Sequence, residues 1–175
     1  MDLVASLARL TGRFRQHQDV LHFCLRFSVY AVLAFVALFA LQDQVVEPFT
    51  RGIAWVVYTL MKAMGIPVWL HGVTIGVENF AVQIRNNCNA IYEMGLYVAA
   101  SLAYPAAARE RATGILLAVA VLYVVNVVRV LSLIYFGYLL PRFFEAAHVY
   151  VWQALFLAVL AALWLSWIGR VRPVA

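Results

Sequence analysis

Three side chains in the second half of the chain could do chemistry together: Cys88, Arg129 and His148. A thiolate is the strongest nucleophile among the side chains present, and its availability depends on its surroundings. Cys88 sits in the polar run Arg85-Asn86-Asn87-Cys88-Asn89, directly before an apolar stretch that reads as a helix. The free N–H groups and dipole at a helix start favour a thiolate there. An imidazole can take the thiol proton and later give a proton to a leaving amine, which suits His148. Arg129, in Asn126-Val127-Val128-Arg129, could hold a carboxylate or stabilise an oxyanion. Asn126 stands one turn earlier on the same helical face, and Asn87 adjoins the thiol. Glu93 could orient a neighbour or pair with an arginine. Taken singly, each has a plainer reading: a packed cysteine, an anchoring arginine, an interfacial histidine. No metal-ligand spacing, phosphate loop or serine elbow occurs, so neither metal nor cofactor is expected.

The elements that must position these residues belong to a membrane protein. Of 175 residues, 66% are hydrophobic and only 12% charged, more apolar surface than a soluble domain of this length can hide. Two cysteines, Cys24 and Cys88, make no disulfide framework. The net charge of +5 is spread singly or in pairs beside apolar runs, which serves membrane orientation better than nucleic-acid binding.

The expected organisation is an all-α membrane protein of about four transmembrane helices, with an outer interfacial helix and a small β-hairpin. Residues 1–20 form a cytoplasmic basic N-terminus and 21–42 the first span, read as uncleaved. Residues 43–87 lie outside. Within them, 49–64 form an interfacial helix with Phe49, Ile53, Val56, Leu60 and Met64 on its apolar stripe and Arg51, Trp55, Tyr58 and Lys62 opposite. Alternation in 73–77 and 80–84 around Glu78-Asn79 predicts two short strands. Residues 88–168 form a catalytic helical core with spans near 89–104, 113–128 and 149–168, the helix of 113–128 extending towards Leu140, and 169–175 a cytoplasmic tail. With four spans, Arg9, Arg13, Arg15, Arg109, Arg111, Arg170 and Arg172 all lie inside, as the positive-inside rule asks. A fifth span at 49–64 would separate them. The same four-span arrangement puts Cys88, Arg129 and His148 at one outer face. His17 and His22 are then out of reach of Cys88, and His71 is the rival base.

In Asn87-Cys88-Asn89-Ala90, Asn126-Val127-Val128-Arg129 and His148, the chain resembles the exosortase/archaeosortase family of membrane cysteine transpeptidases. The stretch from Phe144 to Ala154 is similar to the exosortase H subgroup, associated with IPTL-type C-terminal sorting signals. One departure is Ala90, where many relatives carry glycine. The resemblance implies a bacterial inner-membrane enzyme with its site on the periplasmic face. It implies catalytic roles for Cys88, Arg129 and His148, and exported proteins with a tripartite sorting signal as partners. Cleavage would proceed through a thioester acyl-enzyme, with transfer to a lipid-linked or other cell-envelope acceptor. Two other readings stay open: an intramembrane cysteine protease using water, and a non-enzymatic scaffold or transporter subunit.

Overall fold

The computed structural model describes residues 2–85 and 88–171. Helix α1 (Asp2–Ala40) is followed by a π-helical turn (Gln42–Val46) and α2 (Glu47–Ala63). Strands β1 (Val68–His71), β2 (Thr74–Val77) and β3 (Phe80–Gln83) come next. Then follow α3 (Ile91–Ala103), α4 (Ala108–Leu139), a helical turn α5 (Phe144–Ala146), a second π-helical turn (Ala147–Val151) and α6 (Trp152–Ile168).

Three stretches have the length and apolarity to cross a membrane: Gln18–Ala40, Ala108–Leu139 and Pro141–Ile168. The chain is therefore a multi-pass membrane protein. The second expected span is shorter than foreseen. Its 13 residues rise about 20 Å against a hydrocarbon core of about 30 Å. Pro105 sets one limit, since the residue before proline is driven out of the helical region, and Tyr104 is extended at ψ 136°. Ala90, at φ 61°, sets the other.

Four helices nevertheless run between the same two ends of the molecule. At one end Phe35 of α1 stacks on Tyr92 of α3, with ring centroids 5.4 Å apart. At the other, Phe23 of α1 meets Trp164 of α6 at 5.8 Å, and Tyr104 lies edge-on to Trp164 and Trp167. The Trp167 indole also donates to the Glu110 carbonyl at 3.2 Å and packs where a Cβ on Gly114 would stand. Arg111 closes this end, donating to the Tyr104 and Ala106 carbonyls at 3.1 Å each.

A second layer is formed by α2 with a three-stranded antiparallel sheet ordered β1-β2-β3. The two expected strands are β2 and β3, joined at Glu78-Asn79. The third, β1, was not foreseen. It pairs Val68 with Val77 through His71 with Thr74. Ile75, Val77 and Ile84 bury against α2 and against Val127, Val130 and Ile134 of α4. The buried face of α2 is Thr50, Ile53, Ala54, Val57 and Met61, about one residue off the expected stripe. Leu60 and Met64 are exposed instead. The helix turns its face to suit the sheet as well as the bundle, and Trp55, Arg51 and Lys62 stay outside. Gly137 of α4 fixes how closely the sheet approaches, because a Cβ there would enter the Phe80 ring.

Candidate active site

Cys88 and His148 are brought together across sixty residues of sequence. The Cys88 Sγ lies 3.4 Å from His148 Nε2, within reach for a thiol proton to pass to the imidazole when Nε2 is the unprotonated nitrogen. His148 sits in the π-helical turn Ala147–Val151 rather than at the start of a regular helix. Such turns displace one residue from the α-helical ladder and are frequent at functional sites. Phe144, one turn earlier, stacks on the imidazole at 5.8 Å and also meets Phe80 of β3 edge-on at 5.4 Å. The histidine is thereby held between the end of the bundle and the sheet.

The cysteine is held from the other side. Its N–H donates to the Arg85 carbonyl at 2.8 Å. The adjacent Asn89, whose residue type alone assigns it no role, is fully buried and ties the turn at two points. Its Oδ1 accepts from the Ile91 N–H at 3.1 Å, and its Nδ2 donates to Thr50 Oγ1 of α2 at 2.7 Å. Thr50 in turn donates to the Val46 carbonyl at 2.7 Å. The signal for Asn89 was an asparagine two residues before a helix start, where its side chain can accept from a free backbone N–H. Ala90 then turns the chain in the left-handed region (φ 61°, ψ 6°), where glycine is at ease and alanine is strained.

Cys88 is 7% exposed. Burial pushes its thiol above the ordinary value; the Arg129 charge pulls in the opposite direction and the Glu93 charge adds to the rise. This direction runs against the thiolate expected at a helix start, because desolvation disfavours the charged form.

Arg129 is 1% exposed, with its guanidinium carbon 5.8 Å from the centroid of the Phe156 ring. Its Nε and Nη1 have no hydrogen-bond partner among the described residues. Asn126 is fully buried and also unpaired at both side-chain polar atoms, as is Glu93 at Oε2. An arginine enclosed this way costs several kcal/mol relative to an apolar residue. Its stacking on Phe156 returns only about 2 kcal/mol. Stability is a poor reason for its presence.

Cys88 and His148 open into a cleft of about 440 Å³, walled by Phe80–Gln83 and Arg85 on one side and by Leu133, Phe144, Glu145 and Val149 on the other. Arg129 does not line it. His71 is exposed on β1, the strand farthest from β3 in the sheet, about 10 Å across two strand spacings. It is absent from the cleft wall. Asn87 lies outside the described residues. Cys24 is exposed on α1, unpaired like Cys88.

Residues 14–165 match the family described as Transmembrane exosortase (Exosortase_EpsH). The chain belongs to the exosortase family. No curated protein and no solved structure matches it. Membership and the Cys88–His148 contact together mark a membrane cysteine enzyme.

Proposed function

We propose that this exosortase cleaves the C-terminal sorting signal of exported proteins and transfers the product to a cell-envelope acceptor. The observation that carries the reading is the 3.4 Å approach of Cys88 Sγ to His148 Nε2 at the floor of an open cleft. His148 takes the thiol proton as sulfur attacks the scissile carbonyl. The tetrahedral intermediate collapses with cleavage of the C–N bond, and His148 returns the proton to the departing amine. A thioester remains on Cys88 while the substrate's membrane helix leaves. An acceptor amine then attacks the thioester and breaks the C–S bond. Arg129, one helical turn below the cleft wall residue Leu133, stabilises negative charge first on sulfur and then on the carbonyl oxygen through its field. Asn126 and Glu93 set the arginine's surroundings.

The proposed orientation places the Cys88 end of the bundle outside the inner membrane of a bacterium and both chain termini in the cytoplasm. The distribution of basic residues supports it, since Arg109 and Arg111 then share a side with the N-terminal cluster. The short α3 completes its crossing with the extended residues that follow it. Residues 43–87 form the outer unit and 88–168 the catalytic core.

Co-expression with a tagged protein bearing a hydrophobic helix and basic tail at its C-terminus tests this reading. Wild type should remove the tail, and Cys88→Ala should not. The mass of the product separates transfer, which leaves an adduct, from hydrolysis by water, which leaves a free carboxylate. Removal of the tail at the wild-type rate by Cys88→Ala would return the chain to the scaffold reading.

A further inference from the structure

The cleft runs along the edge of a strand. Phe80 and Val82 are half-buried, whereas Ala81 and Gln83 are exposed. Successive side chains of a strand point to opposite faces, so a wall made of all four can only be the strand's edge. β3 is an outer strand of the sheet, paired with β2 alone. The Ile84 N–H donates to the Val73 carbonyl at 3.0 Å. With hydrogen bonds alternating along an antiparallel ladder, the pairs Ile75–Val82 and Val77–Phe80 are also bonded ones. The N–H and C=O groups of Ala81 and Gln83 therefore point away from β2, into the cleft. The next outward carbonyl, that of Arg85, accepts from the Cys88 N–H, so this edge leads directly to the nucleophile.

We infer that β3 is the docking strand for the substrate, and that the segment preceding the scissile carbonyl pairs with it as an added strand. The inference rests on the cleavage reading and specifies how that substrate is held. A peptide entering a membrane helix from an extended stretch has backbone groups that need partners in an apolar setting, and a strand edge supplies them without regard to sequence. β3 descends from Phe80, against Gly137 near the outer end of α4, towards Cys88. An exported chain descending to its own membrane helix runs in the same direction, so the pairing is parallel. One substrate residue donates its N–H to the Ala81 carbonyl and accepts from the Gln83 N–H. The residue two further on donates to the Gln83 carbonyl, and the residue between them faces away. Alternate side chains meet Leu133, Phe144 and Val149, so the occupant is an extended peptide with apolar side chains.

The test uses apolar tetrapeptide chloromethyl ketones, which form a thioether with Cys88 as chloride leaves, with chloroacetamide as a small alkylator lacking backbone partners. Each peptide amide is N-methylated in turn, and labelling of Cys88 in the full-length membrane protein is followed by mass. Strand addition predicts labelling slowed about tenfold at alternate positions and little changed between them. Ala81→Pro and Gln83→Pro remove only outward N–H groups, which an edge strand tolerates. Gln83→Pro removes the N–H that the substrate uses and should slow peptide labelling about tenfold, Ala81→Pro removes an N–H outside the described pairing and should slow it far less, and chloroacetamide should label both within about twofold of wild type. Should a proline variant misfold, the N-methyl series on wild type still decides. Equal labelling by every N-methylated peptide would overturn the docking strand. If the alternation appears while a sorting-signal reporter is never processed, the docking strand stands and the cleavage reading falls.

Discussion

Asn89 donates to Thr50 across 2.7 Å and so ties the turn that carries Cys88 to α2. Both residues are buried, so removing one partner leaves the other's polar group without water or a bond. Such a loss costs about 1–3 kcal/mol. Thr50→Val should lower the thermal midpoint of the detergent-solubilised protein and slow substrate processing by moving Cys88 relative to His148. Thr50→Ser, which keeps the hydroxyl, should restore most of the rate. Equal behaviour of the valine and serine variants would mean that the bond does not position the thiol.

Arg129 influences Cys88 without lining the cleft. Its positive charge opposes the upward shift of the thiol, so Arg129→Met should move the pH dependence of Cys88 alkylation to higher pH. Arg129→Lys should move it less, since the charge is kept. Processing should nevertheless suffer in both, because lysine lacks the planar group that stacks over Phe156. Alkylation profiles of wild type and Arg129→Met that superimpose would remove the electrostatic role.

Burial raises the Cys88 thiol in the folded protein, and this has a consequence for stability. A group whose folded pKa lies above its unfolded value binds more protons when folded. Its contribution is complete below the unfolded thiol value of about 8.5 and is lost as pH rises beyond it. Thermal stability should therefore decline on the alkaline side, and Cys88→Ala should decline less steeply there. Parallel alkaline profiles for the two proteins would show that the thiol is not desolvated as described.

Ala90 combines a left-handed backbone with a fully buried methyl group. Glycine relieves about 1–2 kcal/mol of backbone strain and forfeits about 0.8 kcal/mol of buried methyl. Ala90→Gly should keep stability within about 1 kcal/mol and keep full processing. Ala90→Val should fail, being β-branched in a region such residues avoid and at a site with no free surface. Measured thermal midpoints decide, and a valine variant as stable as wild type would contradict this backbone geometry.

The membrane class was legible because apolar content alone forces it, and the order Cys88, Arg129, His148 was legible because each stands out chemically against apolar neighbours. The β2–β3 turn at Glu78-Asn79 was marked by alternation on both sides. β1 was harder to see. Its Val68-Trp69-Leu70-His71 follows a proline and mixes half-buried with exposed large side chains, so no alternation of polarity announces it. The face of α2 was misjudged by about a residue because Thr50 and Ala54 are buried there for their contacts and small size, not for hydrophobicity. The short α3 was not visible either, since the turn at Ala90 depends on a left-handed backbone that alanine does not advertise. The π-helical turn at His148 is a property of the backbone ladder and leaves no mark in composition.

In the proposed reaction Cys88, with its proton taken by His148, forms an acyl-enzyme with the substrate. Mass analysis of the enzyme during turnover of a sorting-signal reporter tests it most directly. The reporter's N-terminal portion should be found attached at Cys88 and released by hydroxylamine. That adduct should form far more slowly in His148→Ala and not at all in Cys88→Ala. Mature reporter produced at the wild-type rate by Cys88→Ala, with no adduct at Cys88 in the wild-type enzyme, would contradict it.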